Sequence, residues 1–369
     1  MSYGDKVNFN KMTFEEKFGQ MIMLGLDIYD INDEIIKLIE KYKIGGVILY
    51  RKNYTSIEKM IEVINRLKKI NRGNKIPLFI GVDQENGKVN RFPKDITRIY
   101  SPYKQSKTEN MKIINSVNEL TTYLLKSVGV NMNFAPVLDI NHEGKNKAIG
   151  SRCYGKNKEE VIKYGIPFMK CMKENDIISV VKHFPGQGVT EKDGRFTIPL
   201  IEDINDLKNK DMYPFEYAIK NGVDAVMVGH LRIKGYGLKP ATINKRIIKE
   251  ELIDKYNYKG LIITDDLRMG IMPYVYRLKK SIVRSVHAGS DILLIKYKKG
   301  DIIRIYKDIF KMVRNYEIDI ERINNSAKKI VEYKKKYNIN DKEISTKLDL
   351  ELINKKIKII NIAIDKVLS

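Results

Sequence analysis

Tryptophan is absent from the 369-residue chain, cysteine occurs twice and histidine four times. Two isolated thiols, Cys153 and Cys171, exclude a disulfide framework and a thiolate zinc site, and they fit a reducing compartment. No run of about 18 apolar residues exists, so no segment has the length to cross a membrane as a helix. The first residues, MSYGDKVNFNKMTFEEK, lack the basic start and apolar stretch of a secretory signal. These absences predict a cytoplasmic protein with no membrane partner. Linkers rich in Pro, Gly or Ser are missing too, so residues 1–369 read as a single domain.

One sign of charge is in excess, with 68 Lys and Arg against 46 Asp and Glu, a net +22. Clustered cations would suit a phosphate backbone. Here they are spread over helical faces at 35–43, 59–69 and 328–336, interleaved with glutamates. No zinc-finger or RNA-recognition signature accompanies them, so they read as solvated faces and no nucleic-acid partner is expected. Nor does any segment specify an oligomeric state.

What is present is an alternation. Thr13-Phe14-Glu15-Glu16 forms a capping box that opens a first helix. Short runs rich in Ile, Val and Leu then occur at 21–26, 45–50, 78–82, within 131–140, and at 178–183, 225–229, 261–264 and 291–295. Amphipathic segments lie between them at 33–42, 56–70, 111–127, 159–173, 206–220, 247–256 and 276–287, with another at 301–313. Apolar strands without polar alternation, separated by helices, imply a parallel sheet covered on both faces. About eight such units favour an α/β fold of the TIM-type (β/α)8 barrel over a doubly wound sheet. The barrel is expected over about 12–315, with extra C-terminal helices over about 319–369 packed on its outside or bottom, a dimer contact being the alternative for them.

In such a barrel chemistry gathers where the strands end. Residues 83–92, DQENGKVNRF, follow the third run, and Asp139 follows the fourth, ahead of Ile149-Gly150-Ser151-Arg152. Lys182-His183 ends the fifth, His230 follows the sixth, and Thr264-Asp265-Asp266 closes the seventh. Taken singly, Asp139 reads as a loop cap and His230 as a histidine satisfied by a carbonyl. Together these residues predict a polar pocket.

In order along the chain, MTFEEKFGQM, GVDQENGKVNRF, NFAPVLDI with IGSRCYG, KHFPGQG, GLIITDDLRMG and HAGSDILL resemble glycoside hydrolase family 3. The likeness is to its single-domain bacterial β-N-acetylhexosaminidases of cell-wall (peptidoglycan) recycling. It implies a retaining exo-β-N-acetylglucosaminidase that needs no cofactor or metal and takes a carbohydrate partner. It also makes Asp265 the nucleophile, with Asp266 behind it, and assigns Asp83, Arg91, Arg152, Lys182 and His183 to the sugar hydroxyls. An ionised carboxylate directly after a buried strand suits covalent glycosyl transfer.

The loop after the fifth strand departs from the family pattern KHFPGHGxTxxDSH. Gln187 stands at the second histidine, and Asp193-Gly194-Arg195 replaces Asp-Ser-His. Arginine does not deprotonate, so Arg195 does not shuttle protons. Three readings follow: Glu191 or Asp193 is the acid/base; Arg195, as a substrate-binding residue, recruits an anion, phosphate or an acidic substrate group, for a phosphorylase-like transfer; or the chain is a catalytically impaired, sugar-binding or regulatory homologue.

Overall fold

The computed structural model describes residues 9–144, 146–188, 197–315 and 318–369. Eight parallel strands form one sheet. They are β1 Ile22–Leu26, β2 Gly46–Leu49, β3 Phe79–Val82 and β4 Met132–Asn133, then β5 Ile178–Phe184, β6 Ala225–Val228, β7 Leu261–Thr264 and β8 Leu293–Lys296. The order β8-β1-β2-β3-β4-β5-β6-β7 places every strand beside its predecessor. A parallel bridge between Ile263 and Ile292 joins the two ends and closes the expected (β/α)8 barrel.

The continuous apolar runs follow from this closure, since one face of each strand fills the barrel and the other lies under the helices. Residues of β1, β2, β3, β6 and β7 are buried throughout. Register sets the height of the loops. Leu49 pairs with Val82, which puts Tyr50 level with Asp83 at the mouth. Val228 pairs with Thr264, and the Asp265 N–H donates to the Val228 carbonyl at 3.0 Å.

The capping box of the first helix, Phe14–Gln20, is formed, with Glu16 N–H to Thr13 Oγ1 at 3.2 Å and Thr13 N–H to Glu16 Oε2 at 2.9 Å. Three segments differ from the expected helices. Residues 206–220 are broken by a π-helical turn, Leu207–Asp211, ahead of Tyr213–Lys220, whose Pro214 has no N–H to continue the ladder. That wide turn carries Asp211 inward to full burial. Residues 246–255 are wound as a π-helix, and Arg277, at φ 51°, separates Met272–Tyr276 from Leu278–Ala288.

The C-terminal helices lie at the bottom and the outside. Helix Ile320–Lys336 covers the N-terminal ends of the strands. Its Arg322 and Lys329 reach buried Asp291 at 3.1 and 2.8 Å. Buried Lys334 donates to Gln20 Oε1 at 2.8 Å and to the Gly45 carbonyl at 2.7 Å, with the Phe79 ring 4.5 Å away. Helix Leu350–Leu368 runs along Met111–Ser127 on the outside, burying Ile353, Ile357 and Ile364. No described helix is long and apolar enough to cross a membrane.

Candidate active site

The loop after β3 is folded around one buried amide. Gln84 Oε1 accepts from Arg91 N–H at 2.7 Å, and its Nε2 donates to Asn86 and Asn90 at 2.7 and 2.9 Å. Asn133 of β4 clamps the same residue, accepting from Gln84 N–H at 2.9 Å and donating to its carbonyl at 3.1 Å. This polar packing fixes the two carboxylates that flank Gln84.

Asp83 accepts from Lys182 Nζ at 2.9 Å and from Arg91 at 3.1 Å. Glu85, buried, takes a two-pronged contact from Arg152, Nε to Oε2 at 2.7 Å and a terminal nitrogen to Oε1 at 2.8 Å. Lys182 Nζ also reaches Glu85 Oε1 at 2.6 Å. Asp83, Arg91, Arg152 and Lys182 are thus brought together, with Glu85 as an anchor that the sequence reading had not singled out. Burial alone would raise Glu85, but the charges of Arg152 and Lys182 outweigh it and hold the carboxyl down at about 2. Asp83 is held well below its ordinary range by Lys182 and Arg91 against the same burial.

Lys182 and His183 are neighbours on a strand, where successive side chains normally face opposite ways. The register of β5 against β6 shifts between Val181 and Phe184, and this irregularity lets both side chains reach polar partners. His183 Nδ1 lies 2.7 Å from Asp139 Oδ2, and the His183 N–H donates to the same oxygen at 3.2 Å. Asp139 Oδ1 accepts from Gln187 N–H at 2.9 Å, and the Gln187 side-chain amide lies 3.1 Å from His183 Nδ1. Asp139 therefore holds both the imidazole and the turn after β5.

Across the barrel, Asp265 follows β7 directly and is half-buried, its Oδ1 accepting from Asp266 N–H at 2.7 Å. Asp266 turns into the structure, accepting from Arg268 N–H at 2.9 Å and Lys296 N–H at 3.0 Å. His230 is tied on both ring nitrogens, to Thr242 Oγ1 at 2.6 Å and to the Asp266 carbonyl at 2.8 Å, which is the carbonyl-satisfied alternative for that residue. Tyr50, a further residue missed in sequence, stands between the two walls. Its phenol is pushed far above its ordinary value, first by burial and then by the negative charges of Asp83, Asp266 and Asp265. The Arg91 guanidinium lies 5.4 Å from its ring centre. Register could have found Tyr50, because it follows β2 as Asp83 follows β3.

A second imidazole–carboxylate pair sits beside the turn that follows β5. His142 Nε2 lies 3.0 Å from Asp211 Oδ1, and Asp211 is held against that turn. A Cβ on Gly186, at φ 111°, would come 2.6 Å from the Asp211 Cβ, and one on Gly188 would meet the Ile140 carbonyl oxygen at 1.6 Å. Glu191, Asp193 and Arg195 lie outside the described residues. Among the described residues no group of three or more His, Cys, Asp or Glu side chains is placed to hold a metal ion.

The chain matches the model of the glycosyl hydrolase family 3 N-terminal domain over residues 13–333. A β-hexosaminidase of Hydrogenovibrio crunogenus is 28% identical over 293 residues, 76% of this chain and 81% of that protein. One from Vibrio cholerae is 30% identical over 290 residues, 78% of this chain and 86% of that one. Among solved structures, a family 3 β-N-acetylglucosaminidase from Paenibacillus superposes with a TM-score of 0.88 at 27% identity, covering 95% of this chain and 68% of that one.

Proposed function

The chain belongs to glycosyl hydrolase family 3, and from that premise we propose that it is a retaining exo-β-N-acetylglucosaminidase. In this reading residues 1–369 act as one domain in the cytoplasm. The substrate carries a terminal N-acetylglucosamine, as the names of the relatives suggest, and is a cell-wall-derived or related glycoside. The observation that carries the reading is the opposition of Asp265 on β7 to the Asp83–Arg91–Lys182 group at the ends of β3 and β5.

Asp265 is the nucleophile. The Asp266 N–H holds one of its carboxylate oxygens, so the group is oriented before substrate arrives and costs little reorganisation in the transition state. It attacks the anomeric carbon to form a covalent glycosyl ester, which water then opens with net retention. Asp83, Arg91, Arg152, Lys182 and His183 hold the sugar hydroxyls. Their fixed donors and acceptors favour a polyhydroxylated ring over an apolar ligand, and Tyr50 closes the side toward β2. The pairing of the cations with Asp83 and Glu85 makes them hydrogen-bond donors of fixed direction.

The test is release of nitrophenol from p-nitrophenyl N-acetyl-β-glucosaminide by the wild type and by Asp265→Asn. Turnover by the wild type and none by the variant is expected. Two inert proteins that both bind N-acetylglucosamine in calorimetry would replace the hydrolase with a sugar-binding protein.

A further inference from the structure

Retaining hydrolysis needs a group that protonates the leaving oxygen and later deprotonates water. Arg195 stands where the family pattern has a histidine, and it cannot do this. We propose that His142 of the β4 loop, held by Asp211 from the π-helical turn between β5 and β6, is the general acid/base of this enzyme. The inference rests on the hydrolase reading above.

Four observations support it. The first is the pair itself: Nε2 of His142 lies 3.0 Å from Asp211 Oδ1, which leaves Nδ1 without a hydrogen-bond partner among the described residues. One nitrogen anchored to a buried carboxylate with the other free is the arrangement that orients an imidazole for proton transfer. The second is access. The His142 side chain is 25% exposed whereas Asp211 is fully buried, and an acid/base must meet both a leaving group and solvent water. The His183–Asp139 pair is a poorer candidate because His183 is only 9% exposed and both oxygens of Asp139 are taken.

Position is the third. His142 follows β4 and Asp265 follows β7, three strands apart in a closed ring of eight. The two residues therefore follow strands on different sides of the barrel, the disposition required of an acid and a nucleophile that flank one glycosidic bond. The fourth is an unexplained cost. Asp211 Oδ2 is buried with no hydrogen-bond partner among the described residues, and burial pushes the carboxyl up from its ordinary value while the contact with His142 pulls it back. A purely structural buttress would satisfy both oxygens, whereas a carboxylate that orients an imidazole and stabilises its protonated form needs only the imidazole.

The proton balance closes. In the first step Asp265 bonds to the anomeric carbon, the bond from that carbon to the leaving oxygen breaks, and Nδ1–H of the imidazolium passes its proton to that oxygen. In the second step neutral Nδ1 takes a proton from water as the water oxygen bonds to the anomeric carbon and the ester to Asp265 breaks. The imidazolium is restored.

His142→Gln is the informative variant, since the glutamine amide can still donate to Asp211 but cannot shuttle a proton. Its kcat/KM on an N-acetylglucosaminyl disaccharide should fall about 10²–10⁴-fold, with a far smaller loss on the dinitrophenyl glycoside, whose leaving group needs no proton. On that activated glycoside added azide should restore turnover and yield the β-glycosyl azide. Asp211→Asn, monitored by circular dichroism for folding, should shift the same leaving-group dependence in part. The proposal is overturned if His142→Gln keeps the wild-type leaving-group dependence and is indifferent to azide. It is likewise overturned if Glu191→Gln or Asp193→Asn shows the azide rescue in its place. A wild type inert on all these glycosides removes the hydrolase reading itself and this proposal with it.

Discussion

Glu85→Gln isolates the electrostatic keystone of the site. Glu85 is buried, with its side chain 1% exposed, and it joins Arg152 to Lys182. Its carboxyl sits at about 2 against an ordinary 4.5, and at 1.36 kcal/mol per pH unit that difference corresponds to about 3 kcal/mol of stability. The value agrees with the ~3–5 kcal/mol expected when one partner of a buried ion pair is removed and the cations are left behind. A depressed folded-state value means that the contribution is complete above pH 4.5 and is lost as pH falls toward 2. Glutamine mimics the protonated acid. Urea unfolding should therefore show the variant less stable than wild type by about 3 kcal/mol at pH 7, with the gap narrowing steadily below pH 4.5. The KM for the chromogenic glycoside should rise as well, because two cations facing the sugar lose their shared anchor. A gap under ~1 kcal/mol at pH 7, or one that does not change with pH, would refute the reasoning.

Two further substitutions probe the supports of the mouth and the floor. Burial pulls Lys334 down to about 7 from 10.5, so the unfolded chain binds the extra proton between those values and stability should rise with pH across that window; Lys334→Met should flatten the rise in urea titrations at pH 7 to 10. Gly188→Ala would set a Cβ 1.6 Å from the Ile140 carbonyl oxygen, and the displaced turn should cost about 1–3 kcal/mol and lower kcat far more than the melting temperature suggests, as steady-state kinetics beside a thermal melt would show.

Most of the barrel could be read from the sequence because a parallel strand buried on both faces leaves an uninterrupted apolar run, and the residue after each run is set at the mouth by register alone. Asp83, Asp265 and the Lys182-His183 pair were found on that basis. β4 was harder. Only Met132–Asn133 is regular strand, since the chain beyond it is held by an isolated bridge from Val137 to Lys182 and by the Ser179 hydroxyl donating to the Ala135 carbonyl, neither of which leaves a periodic trace. The break at Leu207–Asp211 was hidden for a related reason, since a π-helical turn keeps the helix-forming composition while shifting which side chain faces inward.

Glu85, His142 and Asp211, which sequence reasoning missed, share one property: their meaning lies in a partner far along the chain. Glu85 looks like one acid in a polar loop until Arg152, 67 positions on, closes on it from the β4 loop. His142 and Asp211, 69 positions apart, are individually a loop histidine and a helix aspartate. A motif read along the chain can locate the strand end from which chemistry is presented, because that depends on local burial. It cannot pair charges across neighbouring strands, because only the tertiary pairing of β4 with β5 brings the β4 loop against the turn after β5. The same adjacency is what the proposed acid/base role of His142 relies on. The mouth is ringed by loops from every strand, so under the proposed mechanism a proton donor lost from one loop is replaceable from its neighbour, whereas the proposed nucleophile Asp265 is fixed by Asp266 N–H at the end of β7.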